Sequence, residues 1–574
     1  MPAPKRMFVR RRRRRPWRAL AALVVVAVAV GAAAVYLGDD GPRRGRSAAQ
    51  RLARAGRTFA TLDPVRRACA LDDEQLVRLW RGNHPRHSED VTLVPQEPNY
   101  MGAFDLTSHS GPWDYLQRIP LVLYGPQRIR AAGRVEGAAN LVDVYATMGA
   151  LTGVDLPPSD GRDLDDALRR GVDGIPRLVV TVVWDGVGRN TLDVWDGRWP
   201  TLARMERDGA SYVDATVGSS PSITPASHGS LGTGAWPRTH GVTAIEYRGD
   251  EGRVVQAIGG RDPAALDATT FADAIDAALG NAPKVGLLGF NNWHIPMMGH
   301  GLGAPGGDAD ELAIVGVQAR GDISGNDDLY TTPGYLLDGH GLARYAAELD
   351  REDGRVDDAW LGHDIVAKDH NPAWVRYARD VMLEMIEGGG YGGDDVTDFF
   401  FVNFKMTDIA GHEWSIDSRE MAAVLEEQDA ALGALLDYLD RRVRDYVVVL
   451  TSDHGHTRST RVTGAWPIRP GVFRDDVEAH FGVRGDEDLF DGEGAYGLYV
   501  DRAVMRRHGV TLDAIARFAN AYTVHDNWGA GPLPDGYEER ADEHVFAAAY
   551  PTRDLPEVMR CKFDAPRPPR DARA

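Results

Sequence analysis

The sequence predicts an α/β protein with a doubly wound, mostly parallel sheet and helices on both faces, preceded by an N-terminal transmembrane helix. Three stretches predict the sheet: RLVVTVVWDG, DFFFVNFKMTDIAGH and DYVVVLTSDHGH are β-branched and aromatic runs that end in acidic and histidine side chains. Continuous apolar runs of this length are typical of strands covered on both faces, as in parallel sheets. Ligands gather beyond the carboxyl ends of such strands, so we expect the three ends to converge in one crevice.

The side chains at these strand ends predict a metal centre. They are Asp185, Asp408, His412, Asp453 and His454. Three carboxylates in one crevice would repel one another without cations between them. The chain has only two cysteines, so any metal must rely on aspartate and histidine ligands rather than thiolates. A metal-dependent hydrolytic site is therefore expected where the strands end.

The composition indicates a large acidic globular protein. Of its 574 residues, 43% are hydrophobic and 26% are charged, and this length allows more than one structural unit. The net charge is -19 although the N-terminus is strongly basic. Binding to a nucleic-acid backbone depends on clustered lysine and arginine, so no nucleic-acid partner is expected.

The N-terminus carries a basic segment, residues 1–18, and then an uncharged apolar run over residues 19–37. That run is long enough to cross a bilayer. The arginine block is expected to stay in the cytoplasm and to place the rest of the chain outside. We therefore predict a single-pass signal-anchor in the cell membrane with an extracytoplasmic catalytic domain. The alternative is a secreted protein, because Ala32, Ala33 and Ala34 allow cleavage by a signal peptidase.

The remaining sequence divides into three regions. Residues 38–95, with helical spacing in SAAQRLARAGRTFATL and DDEQLVRLWRG, are predicted to be a helical stalk or linker. Residues 96–464 are the predicted catalytic domain, in which 246–395 include insertions that cap the site. Residues 465–574 are expected to pack on that domain. Cys69 and Cys561 either form one disulfide between the two ends of the chain, as an oxidising compartment allows, or remain unpaired buried thiols.

A threonine motif follows the first of the three strands. PSITPASH runs from Pro221 to His228, and TGAWPRTHG follows it. Together with D-G at Asp185, D-x-x-x-H from Asp408 and D-H-G at Asp453, these five ordered motifs resemble the alkaline phosphatase superfamily. The resemblance covers residues 177–458 and is greatest to the nucleotide pyrophosphatase/phosphodiesterase branch.

The resemblance implies an alkaline phosphatase-like fold, two divalent metal ions and a threonine nucleophile. One ion would be held by Asp185, Thr224, Asp453 and His454, and the other by Asp408, His412 and a third ligand. Oxygen and imidazole donors without thiolates suit zinc, with manganese as the alternative. Thr224 would attack phosphorus in line, and the phosphothreonyl intermediate would then be hydrolysed. A structural alternative for Thr224 is a helix cap, since a proline follows it.

The third ligand of the second ion is predicted from a rearrangement of the chain. In the resembled family, the last ligand is a histidine after D-H-G, just before the strand and helix that close the domain. Here residues 96–170 carry that pattern upstream of the first strand, as SHSG, RIPLVLYGP and AANLVDVYATMGALTG. We therefore predict a circularly permuted domain in which His109 completes the second site. His544 is the alternative ligand, and S-H-S-G departs from the usual H-G.

Substrate contacts are predicted at a different place from the family's. The asparagine that often follows the H-G-[IV] turn is replaced here by Ile245. Asn291, Asn292 and His294 are therefore the candidates for binding phosphoryl oxygens, although Asn-Asn also suits a turn after a strand. Three further histidines are expected to be structural, namely His228, His240 and His456. For His456, the alternative is a role as a spare metal ligand or in substrate binding.

The leading functional prediction is a hydrolase of phosphate esters, with phosphodiesters or nucleotide pyrophosphates favoured as small-molecule substrates. The first alternative is a phosphomonoesterase of the alkaline phosphatase type. A sulfatase is disfavoured because the threonine segment lacks the C/S-x-P-x-R motif that formylglycine formation needs. From another class, the alternative is a non-catalytic surface scaffold on the same fold, against which the complete set of acidic and imidazole groups argues.

Overall fold

The computed structural model describes residues 63–104, 106–257, 266–290, 294–316, 322–336, 341–484, 487–495, 497–529 and 531–566. Its helices are α1 (Pro64–Ala68), α2 (Asp73–Gly82), α3 (Asp114–Gln117), α4 (Asp143–Thr152), α5 (Arg189–Val194), α6 (Pro200–Asp208), α7 (Thr224–Thr233), α8 (Pro237–His240), α9 (Phe271–Leu279), α10 (Leu342–Asp350), α11 (Pro372–Gly388), α12 (Met406–Trp414), α13 (Arg419–Arg442), α14 (Thr460–Thr463), α15 (Pro470–Phe481), α16 (Arg502–Arg507), α17 (Leu512–Ala521), α18 (Val524–Trp528) and α19 (Leu555–Phe563). Short 3-10 turns lie at Asp165–Ala167, Ile295–Met298, Gly301–Gly303, Gly334–Leu336, Glu538–Arg540 and Thr552–Asp554.

The strands form two larger sheets and three short two-stranded pairs. They are β1 (Val91–Pro95), β2 (Tyr100–Met101), β3 (Leu121–Tyr124), β4 (Gly133–Asn140), β5 (Leu178–Trp184), β6 (Ala210–Thr216), β7 (Glu246–Arg248), β8 (Val254–Gln256), β9 (Val285–Phe290), β10 (Glu311–Val315), β11 (Ile323–Ser324), β12 (Ala359–Trp360), β13 (His363–Asp364), β14 (Asp398–Phe404), β15 (Tyr446–Thr451), β16 (Pro467–Ile468), β17 (Phe490–Glu493), β18 (Gly497–Val500) and β19 (Phe546–Pro551).

The main sheet has the order β11-β10-β9-β14-β5-β15-β3-β6-β4. Its centre, β10-β9-β14-β5-β15, is parallel throughout. β3 runs antiparallel to both β15 and β6, and β11 runs antiparallel to β10. The predicted α/β class is confirmed, and the sheet is mixed.

The three predicted strands lie side by side as β14-β5-β15 and are buried along their whole length. Alternate residues of β5 enter different cores: Val180 and Val182 pack with α11 and α13, whereas Val179 and Val183 pack with α4 and α9. This period of two follows from side chains that alternate across a strand. Helices therefore cover both faces, and the carboxyl ends of the three strands share one edge.

A second sheet, β17-β18-β1-β19, is antiparallel. β1 lies between β18 and β19, and residues of α1 and α2 share one apolar core with α17 and α19. Residues 63–95, predicted as part of a stalk, are therefore an integral part of the globular body, because VTLVP is buried as a central strand. The rest of the predicted stalk, residues 38–62, lies outside the described residues.

The two cysteines are paired, which selects the disulfide from the two predicted alternatives. The bond joins Cys69, at the end of α1, to Cys561 in α19, and the two Cα atoms are 5.8 Å apart. No helix in the described part of the chain has the length and apolar character needed to cross a membrane. The predicted basic segment and anchor, residues 1–37, lie outside the described residues.

Candidate active site

Adjacent strands bring the three predicted carboxylates to one point. Asp185 follows β5 directly, Asp408 lies in α12 after β14, and Asp453 lies two residues after β15. Their exposed fractions are 0%, 3% and 2%. Gly186 has a φ of +73°, and a Cβ there would lie 2.9 Å from the Asp408 Cα. The D-G motif therefore needs glycine both for the left-handed turn and for this close approach.

The first group of donor atoms surrounds the Nε2 atom of His454. This atom lies 3.4 Å from Thr224 Oγ1 and 3.5 Å from Asp453 Oδ2. It lies 3.7 Å from Asp185 Oδ1. Tetrahedral zinc with ligands at about 2.0–2.1 Å requires donor atoms about 3.3–3.4 Å apart. The Asp453 Oδ2 atom is buried without a hydrogen-bond partner among the described residues, and Asp185, Asp408 and His454 lie close enough together to hold one metal ion.

Thr224 is the first residue of α7, and its hydroxyl does not cap the helix. The N-cap residue is Ile223, which makes no side-chain cap hydrogen bond. Instead, Thr224 Oγ1 accepts a hydrogen bond from Lys405 Nζ at 2.8 Å. The first amides of a helix lack partners within the helix and favour anions, so this hydroxyl stands where a phosphoryl group would be stabilised.

The second group of donor atoms surrounds Asp408 Oδ1, which is buried without a hydrogen-bond partner. The nearest imidazole nitrogens are Nε2 of His412 at 3.5 Å, of His454, which belongs to the first group, at 3.7 Å, of His109 at 3.8 Å and of His456 at 4.0 Å. Asp408, His412, His109 and His456 lie close enough together to hold one metal ion. His544, the alternative ligand, is not in this group. Its backbone forms an isolated antiparallel β-bridge with Thr523.

Backbone carbonyls orient the imidazoles of both groups. The Nδ1 atoms of His109, His412 and His454 lie 2.9, 2.7 and 3.0 Å from the carbonyl oxygens of Ser222, Thr107 and Gly455. A carbonyl can only accept, so each Nδ1 carries the proton and each Nε2 presents a lone pair to the carboxylates. This arrangement is typical of metal-binding histidines.

His456 lies in the second group of donor atoms, whereas the sequence favoured a structural role for it. Its ring is 0% exposed, and among the described residues neither ring nitrogen has a hydrogen bond of normal length and angle, although the Thr457 backbone interacts with the ring. A Cβ on Gly411 would lie 2.9 Å from the ring, so glycine in D-I-A-G-H makes room for it. The second histidine of D-H-G-H was the sequence signal for this position.

Lys405 is the residue that sequence reasoning missed. Its Nζ lies 2.9 Å from Asp185 Oδ1 and 2.9 Å from Asp408 Oδ2, and so bridges the two groups of donor atoms. Burial lowers the pKa of Lys405, but the three carboxylates outweigh burial and raise it. Burial also raises the pKa of Asp408, yet Lys405 and His412 hold it well below its usual value. A single basic residue between a buried strand and the D-x-x-x-H motif was the available signal.

The remaining predicted site residues lie outside the two groups of donor atoms described above. Asn291 and Asn292 lie outside the described residues. His294 Nε2 lies 3.7 Å from Asp185 Oδ2, and these two residues and His228 lie close enough together to hold a metal ion. His228 donates to the Thr224 carbonyl at 3.0 Å, and His240 lies 3.2 Å from Ser230 Oγ. Both histidines therefore have the hydrogen bonds expected of structural residues.

Comparisons with known proteins match most of this site. A family model described as type I phosphodiesterase / nucleotide pyrophosphatase matches residues 179–545, which include both groups of donor atoms except His109. The alkaline phosphatase PafA of Elizabethkingia meningoseptica is 23% identical over 394 residues, 59% of this chain and 72% of that protein. The alkaline phosphatase PhoK of Sphingomonas sp is 39% identical over 70 residues, 12% of each chain. The crystal structure of wild-type PafA superposes with a TM-score of 0.48 and 17% identity, covering 66% of this chain and 85% of that one.

Proposed function

Because the chain belongs to the type I phosphodiesterase / nucleotide pyrophosphatase family, it is a phosphoric ester hydrolase, and we propose that Thr224 is its nucleophile. One observation carries this proposal: Thr224 Oγ1 stands at the start of α7, between Lys405 Nζ at 2.8 Å and His454 Nε2 at 3.4 Å. A threonine hydroxyl is a weak nucleophile at neutral pH, so it needs a positive charge such as the Lys405 ammonium beside it.

Two divalent ions, zinc or alternatively manganese, would complete the site. One would be held by Asp185, Thr224, Asp453 and His454, and the other by Asp408, His412, His109 and His456. Their unpartnered oxygen and nitrogen atoms support this assignment. Bound ions of this kind supply Lewis-acid charge that stabilises anionic oxygens. The circular permutation remains our proposal for how His109, which precedes β5 in the chain, comes to complete the second group.

The protein's own residues account for the remaining chemistry. Thr224 Oγ1 forms a bond to phosphorus, and the ester oxygen leaves with the bonding electrons and takes up a proton. Lys405 donates a hydrogen bond to Oγ1 and so stabilises the negative charge that develops there during attack. The start of α7 would also favour the phosphoryl oxygens, because the first N–H groups of a helix lack partners within the helix. Water then attacks phosphorus, which releases the phosphate product and restores the threonine hydroxyl.

The favoured substrates are phosphodiesters or nucleotide pyrophosphates, as the family description suggests. A second candidate is a phosphomonoester, and two observations favour it. Relatives with similar sequences are named alkaline phosphatases. Lys405 also places an ammonium beside the nucleophile, where it would compensate the additional charge of a monoester dianion.

We also propose an extracytoplasmic location, with residues 19–37 as a membrane anchor or, alternatively, as a cleaved signal. The disulfide between Cys69 and Cys561 supports this location, because disulfides persist mainly in oxidising compartments. Fractionation of cells that express the tagged full chain, with protease added outside, tests it. A protein protected from the protease in intact cells would contradict the proposal.

Substitution of Thr224 tests the assigned nucleophile. Thr224→Ala should lower kcat by about a thousand-fold or more, whereas Thr224→Ser keeps a hydroxyl and should keep part of the activity. Ser227→Ala is the matched control, because Ser227 lies one turn further along α7 and its buried hydroxyl has no hydrogen-bond partner. Acid quenching during turnover should trap phosphothreonine at position 224 in the wild type. Equal activity of Thr224→Ala and Ser227→Ala would show that another group is the nucleophile.

The two substrate classes are separated by comparing bis-p-nitrophenyl phosphate with p-nitrophenyl phosphate. A higher kcat/KM for the diester supports the favoured assignment. A strong preference for the monoester would replace it with the second candidate, without affecting the role of Thr224.

A further inference from the structure

A second cluster of carboxylates lies at the opposite edge of the main sheet. Asp276 lies in α9, and Asp308 and Asp310 precede β10 directly, at its amino end. The catalytic carboxylates instead follow the carboxyl ends of strands parallel to β10. One carboxylate oxygen from each of the three residues lies within 4.8 Å of the other two. Asp276 is only 2% exposed and Asp310 only 5%.

These carboxylates lack the partners that buried carboxylates normally have. Asp276 Oδ1, Asp308 Oδ1 and Asp310 Oδ2 are shielded from solvent and accept no hydrogen bond from any described residue. By contrast, the buried Asp90 pairs with Arg248 at 2.8 Å and accepts the amide of Val500 at 2.9 Å. Buried polar atoms without partners are rare and require a specific explanation.

The charged groups that act on Asp276 and Asp310 do not explain why these carboxylate oxygens are buried without partners. Burial raises the pKa of Asp310 to about 9, and repulsion from Asp276, Asp308 and Asp273 acts in the same direction. Burial likewise raises the pKa of Asp276 to about 7, with Asp308 and Asp273 as its interacting neighbours. The nearby imidazole of His300 is engaged by Asp273. Buried carboxyls of this kind either hold protons or bind a cation that compensates their charge.

We propose that Asp276, Asp308 and Asp310 form a structural calcium site. Calcium prefers carboxylate and carbonyl oxygens and takes six to eight of them, so backbone carbonyls and water would complete its shell. The three donors include no imidazole or thiolate, which distinguishes this site from the catalytic one. Asn281 supports the loop geometry, because it follows α9 and donates to the Gly306 carbonyl at 3.1 Å. Its own side-chain oxygen is buried without a partner.

Calcium at this position would fix the loop before β10 to α9. The end of a helix carries partial negative charge, and α9 ends at Leu279, three residues after Asp276. The site would therefore be structural rather than catalytic, and it does not depend on the proposed function.

The test uses the full-length protein, freed of calcium on a chelating resin and resupplied with zinc. Addition of calcium chloride should raise the Tm of the wild type by about 3 °C or more. The wild type should also retain one more calcium per chain than Asp310→Asn after dialysis, measured by elemental analysis. Asp276→Asn and Asp310→Asn should lose the calcium response of Tm and, without calcium, should be at least as stable as the wild type, because repulsion is reduced.

Asp196→Asn, at an exposed position away from the cluster, is the control and should keep the wild-type response. Asp308→Asn offers a further variant at a partly exposed position, should the buried substitutions fail to fold. A wild-type Tm that does not respond to calcium would overturn the proposal, and so would equal calcium content in wild type and Asp310→Asn. A response to magnesium but not to calcium would overturn the choice of ion. Hydrolysis is not a readout here, so these outcomes are separate from failure of the proposed function.

Discussion

The two carboxylate clusters at opposite edges of the main sheet are similarly buried but differently compensated. At the carboxyl edge, Lys405 lies 2.9 Å from both Asp185 and Asp408, and six imidazoles lie close to these carboxylates, those of His109, His228, His294, His412, His454 and His456. At the amino edge, the charges that act on Asp276 and Asp310 are those of other aspartates. The same kind of side chain therefore has opposite electrostatics. The pKa of Asp408 is well below its usual value, whereas that of Asp310 is raised to about 9.

This difference separates a reactive site from a structural one. The Lys405 ammonium would let the proposed catalytic cluster keep part of its compensation while ions and substrate exchange. The amino-edge cluster has no comparable compensating charge among the described residues, so its geometry would depend on one tightly bound cation. Lys405 is thus the residue that most clearly distinguishes the two clusters, and its removal should have the largest effect on the comparison.

Lys405→Met should lower kcat/KM for p-nitrophenyl phosphate by about 10- to 100-fold, because a charge-assisted hydrogen bond contributes about 1.5–3 kcal/mol. The loss for bis-p-nitrophenyl phosphate should be smaller, since a diester carries one negative charge fewer. Lys284→Met is the matched control, as Lys284 Nζ is exposed and donates only to the Gly390 carbonyl at 3.0 Å. Equal losses for the two esters would contradict a role of Lys405 in compensating substrate charge.

Sequence patterns were sufficient for the parts of the fold that depend on local apolar runs. β5, β14 and β15 are such runs, and their adjacency follows from the rule that parallel strands bring their carboxyl ends together. β1 could not be placed in this way. Its five residues become a central strand only through pairing with residues 497–498 and 546–551, far away in the chain.

The residues of the candidate site likewise differ in how far the sequence alone could predict them. Asp185, Asp408 and Asp453 follow from strand ends, and Thr224 and His109 were found only through the family resemblance. Lys405 was not assigned and His456 was a ligand only as the alternative, because their roles depend on where a long side chain turns and on which ring nitrogens remain without partners. Neither property is visible in sequence spacing.

His456→Gln should weaken binding of one of the two proposed ions by about tenfold, since metal affinity falls when a ligand or its support is lost. The measurement is metal content after dialysis against a competing chelator, together with the d–d absorption of the cobalt-substituted protein. His363→Gln, outside both clusters and paired with Glu420 at 3.2 Å, is the control. An unchanged affinity and an unchanged cobalt spectrum would show that His456 is not a ligand.

The smallest expected effect, a change in Tm, comes from placing an ammonium group beside the amino-edge cluster, as Lys405 stands beside the catalytic cluster. Asp308 is only partly buried, so Asp308→Lys can place an ammonium beside Asp276 and Asp310 as Lys405 stands beside Asp185 and Asp408. In calcium-free buffer this variant should have a Tm about 2–4 °C above that of the wild type, because an internal charge replaces the missing cation. Calcium should then no longer raise its Tm, whereas it should still raise that of Asp196→Asn. A variant that is less stable than the calcium-free wild type, or that still responds to calcium, would show that missing internal charge is not what distinguishes the two clusters.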